Sequence, residues 1–393
     1  MKKMLWLCAG VLMAWPVMAQ QTSSPTTEDP QNVRNKRFAG VMPTYQSWTI
    51  EAASGETLSL GQVSNQVLVY YQVNNQVLMS LRNSQGRFDA DCEACLNPTS
   101  TRQTFSGVGD TQVSLSYRLP NPNLIFNATV NLPTGRSSLT SEELETVGLF
   151  SNQVLEFKLP VLGQGTALMT SVSGAFPLGE QAVLGGGLSY IVNGGFKPLT
   201  DLEAEYKPGN EVSADVGVNF KMGSNGSLGM DAMITRYNED YFVEKAVFKA
   251  GTKISTVLQY RHLNSTTEWA ALVRYRSREK NAIASFVGET PAEEATNSNP
   301  AVMMARATYR MNLNKAFVPG FSVEMRSYAA TPAWLSGALI GGIGFDPEFR
   351  LNESILIPLR IRFVSGTVSN QGYYPNTRSL RNLSASVGFY WSF

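Results

Sequence analysis

The 393-residue chain lacks most of the features that enzymes and helical membrane proteins need. It contains one histidine, His262, and no phosphate-binding loop, metal-ligand cluster or nucleotide fingerprint, so we expect no enzymatic activity, metal or cofactor. After the first twenty residues no run of 18 apolar residues occurs, which argues against a membrane-spanning helix. The 32 basic and 31 acidic residues nearly cancel, so nothing indicates a nucleic-acid partner.

Cysteine is almost absent. Apart from Cys8 near the start, only Cys92 and Cys95 occur, in a Cys-Glu-Ala-Cys sequence. In an oxidising compartment such a pair forms a local disulfide that pins a loop. A thioredoxin-like redox site would need a βαβ setting, and a zinc site would need two further ligands, neither of which the sequence supplies here.

Residues 1–19 resemble a secretory signal peptide. Lys2 and Lys3 precede an apolar run from Met4 to Trp15, and a Val-Met-Ala sequence ending at Ala19 predicts cleavage before Gln20. The apolar run is shorter than the about 20 residues that a spanning helix requires. We therefore expect export, followed by a polar, flexible periplasmic segment over residues 20–44.

The last stretch of the chain, LRNLSASVGFYWSF, alternates between two kinds of residue. Apolar or small side chains occupy every second position from Leu383 to Phe393, and mostly polar or small residues lie between them. A strand of about 9–11 residues with one apolar face can cross a bilayer. The pattern resembles the C-terminal targeting signal of outer-membrane β-barrels, which predicts location in the outer membrane of a Gram-negative bacterium, contact with its lipid, and recognition of Phe393 by the barrel-assembly machinery.

Similar alternation predicts strands over most of the chain. The predicted strands are 46–53, 65–73, 76–83, 109–118, 122–132, 164–175, 181–191, 211–220, 226–236, 252–262, 267–277, 302–313, 320–328, 338–349, 354–363 and 381–393. The predicted fold is therefore an all-β, transmembrane, antiparallel up-and-down barrel over residues 45–393, with about sixteen strands. Fourteen strands would remain if the first two formed a plug. Pro358, which cannot donate a ladder hydrogen bond, predicts a local bulge.

The connections between these strands alternate in length. If Phe393 lies at the periplasm, the periplasmic connections are all short and the outward ones are longer, as in outer-membrane barrels. The predicted outward loops are 54–64, 84–108, 133–163, 192–210, 237–251, 278–301, 329–337 and 364–380.

Charged residues in the C-terminal half occupy the polar phase of their strands, so they are predicted to line the lumen. A lipid-facing Arg or Lys at mid-depth would cost about 2–4 kcal/mol. These residues are Arg261, Arg274, Arg276, Arg306, Arg310, Arg326, Arg360 and Arg362, with Glu268, Glu324, Asp346 and Glu348 among them. One hypothesis is a basic wall that favours anionic solutes. The other is cross-strand ion pairing that only fills a polar interior.

The loop at 133–163 is more apolar than an exposed loop should be. Thr140 or Ser141, followed by Glu142 and Glu143, predicts the start of a short helix. The apolar residues in and after the helix include Leu149, Phe150, Leu155, Phe157 and Leu159. We expect the segment to fold into the barrel as a constriction, and a lid packed on neighbouring loops is the alternative.

Part of the chain resembles a known family. Gly107-Val108-Gly109-Asp110-Thr111, the strand QVSLSYRLP, and Asn131-Leu132-Pro133-Thr134-Gly135 are similar to motifs of the outer-membrane transporters of the phenol-degradation meta-pathway type. The resemblance covers mainly residues 65–190. It implies a barrel that moves small, often aromatic or hydrophobic molecules, as long-chain fatty-acid transporters do. The Asn-Pro-Ala hatch motif that those transporters carry is missing near the N-terminus, so their plug mechanism is not implied.

These observations predict an outer-membrane barrel for passive uptake of small molecules that are hydrophobic, aromatic or anionic. The alternative is a plugged barrel that acts as a surface scaffold or interaction protein.

Overall fold

The computed structural model describes residues 37–51, 55, 57–92, 102–119, 124–151, 153–157, 163–331, 337–370 and 376–393. The predicted signal peptide lies outside these residues. No helix in the described part of the chain is long and apolar enough to cross a membrane.

The chain forms a closed antiparallel barrel of sixteen strands, which confirms the predicted fold and excludes the fourteen-stranded alternative. The strands are β1 (Arg37–Glu51), β2 (Thr57–Gln72), β3 (Val77–Cys92), β4 (Arg102–Val108 with Thr111–Arg118), β5 (Leu124–Leu132), β6 (Ala167–Leu178), β7 (Ala182–Asn193), β8 (Glu211–Met222), β9 (Gly226–Tyr237), β10 (Lys253–Leu263), β11 (Thr267–Arg278), β12 (Val302–Met311), β13 (Phe317–Val318 with Gly320–Tyr328), β14 (Ala338–Phe345 with Glu348–Arg350), β15 (Ile355–Asn370) and β16 (Asn376–Val387 with Phe389–Ser392). Each strand pairs with its sequence neighbours. Pairing of β1 with β16 closes the barrel and removes any free sheet edge.

The two faces of the strands follow the alternation of the sequence. On β16, Leu383, Val387, Phe389 and Trp391 are exposed on the outside, whereas Asn382 is buried on the inside. Successive side chains of a strand point to opposite faces, so apolar residues at every second position of each strand form the outer surface.

Several strands are longer than predicted, mainly at the end with the long loops. The barrel begins at Arg37 rather than at residue 45, so residues 37–44 belong to β1 and not to a flexible segment. The predicted loops 54–64, 84–108 and 364–380 are also largely strand. The reason is cooperative pairing between strands. Residues whose sequence favours a loop adopt strand conformation here because the neighbouring strand satisfies their backbone hydrogen-bonding groups, as in the fifteen-residue register of β1 with β2.

The expectation of a bulge at Pro358 is wrong. Phe345 pairs with Ile361 and Glu348 pairs with Pro358, so no residue is inserted on either side of the proline. The proline has no amide hydrogen, so it donates no ladder hydrogen bond. It still accepts one, because the Gly388 amide donates to the Pro358 carbonyl at 2.8 Å.

One end of the barrel carries short turns and both described ends of the chain; the other carries the long connections. Three of these connections build a small five-stranded sheet, the outer cap, from Tyr206–Lys207, Glu239–Phe242, Lys245–Lys249, Ala282–Ile283 and Ala292–Glu293. The loop between β5 and β6 does not join this sheet.

Candidate functional site: the inserted segment and the lumen

The connection between β5 and β6 contains the only α-helix among the described residues, α1 (Ser141–Phe150). Thr140 is the N-cap: its hydroxyl accepts from the Glu143 amide, and the Glu143 carboxylate accepts from the Thr140 amide. Arg136 also pairs with Glu143. Partial burial opposes ionisation of Glu143, but these hydrogen bonds and Arg136 outweigh it and hold its pKa below the ordinary value. The helix predicted from the capping sequence is thereby confirmed.

This connection leaves the barrel wall through a neck centred on Asp110. One carboxylate oxygen of Asp110 accepts from the Gly135 amide at 2.9 Å, and the other accepts from the Gln164 amide at 2.6 Å and the Asn131 side chain at 2.8 Å. Gly135 and Gln164 lie at the two ends of the connection. A single carboxylate therefore ties both ends to the wall.

The backbone around Asp110 is shaped for this role. Pairing of β4 with β3 shifts by one residue between Val108 and Gln112, which is a β-bulge at Gly109 and Asp110. A Cβ atom on Gly135 would lie 2.7 Å from the Gly109 carbonyl carbon, and one on Gly163 would lie 2.7 Å from an Asp110 oxygen. Glycine at both positions lets the two ends of the connection approach the bulge.

Between these ends, residues 136–151 and 153–157 form what we call the inserted segment. It runs along the inner wall: Thr146 bonds to Gln103 of β4, the Phe150 ring lies 4.8 Å from the Phe88 ring of β3, and Gln46 of β1 donates to the Leu155 carbonyl at 3.1 Å. Each of these wall residues alternates with outward-facing neighbours.

The segment then reaches the far side of the barrel. The Tyr328 hydroxyl of β13 donates to the Gln153 carbonyl at 3.3 Å, and Arg326 of β13 lies 2.6 Å from Glu156. In a sixteen-stranded barrel β13 lies eight strands from β5, where the connection begins, and is therefore opposite it. The chain thus enters the lumen and touches the opposite wall.

The predicted apolar residues of this connection pack against the wall. Phe150, Leu155 and Phe157 are each at most 2 % exposed and belong to one buried cluster with inner-face residues of β1–β4 and β12–β16. Leu149 is partly buried against the same cluster, and Leu159 lies outside the described residues. One half of the lumen is consequently filled with apolar side chains at the end that carries the long loops.

The eight arginines and four acidic residues that were predicted to line the lumen include opposite charges that lie close together. Several form ion pairs: Arg261 with Glu268 at 2.9 Å, Arg360 with Asp346 at 3.0 Å and Arg306 with Asp346 at 3.5 Å. Glu324 lies 3.4 Å from Arg326 and 3.7 Å from Arg362. Arg274, Arg276 and Arg310 lie on the same faces of β11 and β12. Ion pairs between arginines and acidic residues therefore involve many of the charged side chains predicted to line the lumen.

The other half of the lumen is less filled. We call the inner faces of β8, β9, β10 and β11 the open sector. Asp215 and Asp231 lie on these faces and are nevertheless exposed, and the inner residues of β10, from Lys253 to Arg261, are all partly exposed. Acidic side chains occupy β8 and β9, and basic ones predominate from β10 onward. The open sector is thus lined by both signs of charge.

The outer cap contains one strongly perturbed group. Asp240 is buried, accepts from the Tyr206 hydroxyl, and accepts from the Gly209 amide at 2.6 Å. Burial raises the pKa of Asp240 to about 6, Glu211 adds to the rise, and the two hydrogen bonds oppose it. The carboxyl therefore titrates near neutrality.

The remaining candidates fall outside these features. Cys92 ends β3, but Cys95 lies outside the described residues, so the proposed disulfide does too. His262 is near the short-turn end of β10, opposite Gly226 and Trp269. No group of three or more potential metal ligands occurs in the described part of the chain.

Comparisons with known proteins give matches to solved structures alone. No family model and no curated protein matches the chain. Solved structures with a similar fold include the "TodX deltaS2S3 mutant monoaromatic hydrocarbon channel", with 11% identity, 91% of each chain covered and a TM-score of 0.49. Others are the COG4313 outer membrane channel of Pseudomonas putida F1 (13% identity, 93% of this chain and 99% of that one, TM-score 0.39) and OpdK of Pseudomonas aeruginosa with vanillate (10%, 90% and 99%, 0.43). The likeness to these structures is one of fold.

Two residues of the site had no role assigned from the sequence. Asp110 belongs to the Gly107-Val108-Gly109-Asp110-Thr111 motif, and the glycines at both ends of the later connection, Gly135 and Gly163, were the available signal. Glu156 lies within the apolar run, between Leu155 and Phe157, and no pattern in the sequence indicates that it meets Arg326.

Proposed function

We propose that this chain is an outer-membrane channel through which small molecules pass by diffusion. The observation that carries the proposal is the course of the inserted segment, which enters a closed barrel and occupies one half of its lumen. The open sector remains beside it, with exposed charged side chains on its inner face. A constriction of this kind restricts passage by size and by charge.

Removing the segment tests the proposal. Residues 138–158 would be replaced by a short Gly-Ser linker, leaving the neck at Asp110 in place. In planar bilayers we expect the wild-type protein to conduct and the variant to conduct several-fold more. A matched control shortens residues 284–291, an exposed loop of the outer cap, and should leave conductance unchanged. Absence of conductance and of solute flux in folded wild-type and variant proteins alike would refute a channel.

The filled half of the lumen favours a second candidate, a plugged barrel that serves as a surface scaffold. Its motivation is the large buried cluster together with the ion pairs around Asp346 and Glu324. A scaffold predicts no flux and a partner that co-purifies from outer membranes. Flux that increases on deletion of the segment excludes it.

We also infer that the protein is exported by its N-terminal signal and assembled through its last strand. Phe393 lies at the end of the outward apolar face of β16, and its amide donates to the Arg37 carbonyl at 3.1 Å. Deleting Phe393 should reduce the amount of folded barrel in outer membranes, whereas Phe286→Ala, in the outer cap region, should not. N-terminal sequencing of the membrane-inserted protein should begin at Gln20.

A further inference from the structure

The contact between Glu156 and Arg326 brings a carboxylate of the inserted segment to a basic part of the wall. Arg326 is 4 % exposed, and Glu156 is 41 % exposed. One guanidinium nitrogen of Arg326 lies 2.6 Å from Glu156, and the other lies 3.4 Å from Glu324. Arg326 is therefore a buried cation with two carboxylate neighbours, Glu324 from the barrel wall and Glu156 from the inserted segment.

Further arginines lie near the same carboxylate. Arg274 pairs with Met304, which pairs with Arg326, so the two arginines occupy one row of the inner wall, about 10 Å apart at the backbone. Arg276 and Tyr328 are related in the same way through Val302. The Glu156 charge acts on both Arg274 and Tyr328. Arg326 thus pairs with Glu156 directly, and Arg274 and Arg276 lie on the adjoining part of the same inner wall.

The position of Glu156 is favourable for exchange with a solute. Arg274 and Arg276 belong to β11 and are partly exposed to the open sector, so the carboxylate lies at the border between the filled and open halves of the lumen. The backbone of Glu156 has a φ of 49°, a left-handed conformation that residues other than glycine adopt at a cost. The ion pair between Glu156 and Arg326 thus forms with the Glu156 backbone in an unfavourable conformation. This strain lowers the free-energy cost of breaking the ion pair.

We propose that Arg326, Arg274 and Arg276 form an anion-binding site beside the open sector, that Glu156 occupies it at rest, and that the carboxylate of a small organic anion replaces Glu156 there. This inference rests on the proposed channel function and names the class of solute for it. Guanidinium groups bind carboxylates through charge-assisted hydrogen bonds, so a solute carboxylate can replace the Glu156 carboxylate in its ion pair with Arg326.

Equilibrium binding of benzoate to the purified, folded barrel in detergent tests the proposal, with benzyl alcohol as the neutral probe of the same shape. Glu156→Gln removes the resident carboxylate. If Glu156 occupies the site nine-tenths of the time, the apparent Kd for benzoate falls about tenfold in this variant. Glu142→Gln, an exposed change of the same charge in α1, should leave the Kd unchanged. The double variant Arg274→Gln with Arg276→Gln should weaken benzoate binding, and none of the changes should affect benzyl alcohol.

The outcomes separate this site from the channel function. Equal benzoate affinity in the wild type and Glu156→Gln, or a parallel change for benzyl alcohol, overturns the anion site even if the barrel conducts. Because binding in detergent needs no conduction, a barrel that conducts nothing yet binds benzoate more tightly after Glu156→Gln would support the site and refute the channel.

Discussion

The neck at Asp110 allows a sharp prediction about the inserted segment. Asp110→Asn keeps the shape of the side chain but leaves one acceptor oxygen where three donors converge, the amides of Gly135 and Gln164 and the side chain of Asn131. The new amide nitrogen must face at least one of those donors. A hydrogen bond to a charged group contributes about 1.5–3 kcal/mol, so the change should destabilise the neck by about 3 kcal/mol. This corresponds to about two orders of magnitude in the population of the released segment.

Hydrogen exchange of peptides from α1 and single-channel recording measure this release. We expect exchange in α1 to accelerate about a hundredfold and the open-channel current to fluctuate more, while heat-modifiability shows that the barrel stays folded. Asp91→Asn, an exposed change of the same charge at the end of β3, is the control. Unchanged exchange in α1 in a folded Asp110→Asn barrel would show that the carboxylate does not hold the segment.

Three further predictions concern the same end of the barrel. Gly135→Ala should release the segment as Asp110→Asn does, because its Cβ would meet backbone at 2.7 Å, whereas Gly61→Ala, with its nearest atom at 3.9 Å, should not. Phe150→Ala should cost about 3–5 kcal/mol of segment stability, measured by the denaturant dependence of exchange in α1. Because the pKa of Asp240 is raised from 3.8 to about 6, the outer cap should be most stable below about pH 4 and lose up to about 3 kcal/mol as the pH rises through 6. Amide exchange of the cap at pH 5 and pH 7.5 checks this, and Asp240→Asn should abolish the difference.

Much of the barrel is predictable because it depends on local patterns. The apolar phase of β16 indicates its outer face, and the polar phase places Arg306 and Arg362 inside, since a strand offers two faces and lipid excludes charge from one. Strand ends are less predictable. β3 continues to Cys92 and β15 to Asn370 because neighbouring strands satisfy their backbone groups, which no local pattern reports.

Local sequence patterns also do not predict which side chains contact one another inside the lumen. The sequence predicts that Glu324 and Asp346 accompany arginines, but not which arginine each one meets. Those distances depend on how rows of residues align across three or four strands, and on a segment that enters from elsewhere in the chain.

The sequence by itself therefore determined the architecture: a barrel of fourteen or sixteen strands, two faces, short turns at one end, and an apolar segment that has to be buried. Only the tertiary structure decided where that segment is buried and what it touches. Asp110 and Gln164 are 54 positions apart, and Glu156 and Arg326 are 170 apart. Such contacts exist because closing the barrel brings opposite walls within reach of one loop, and the period of a single strand carries no information about the wall across the lumen.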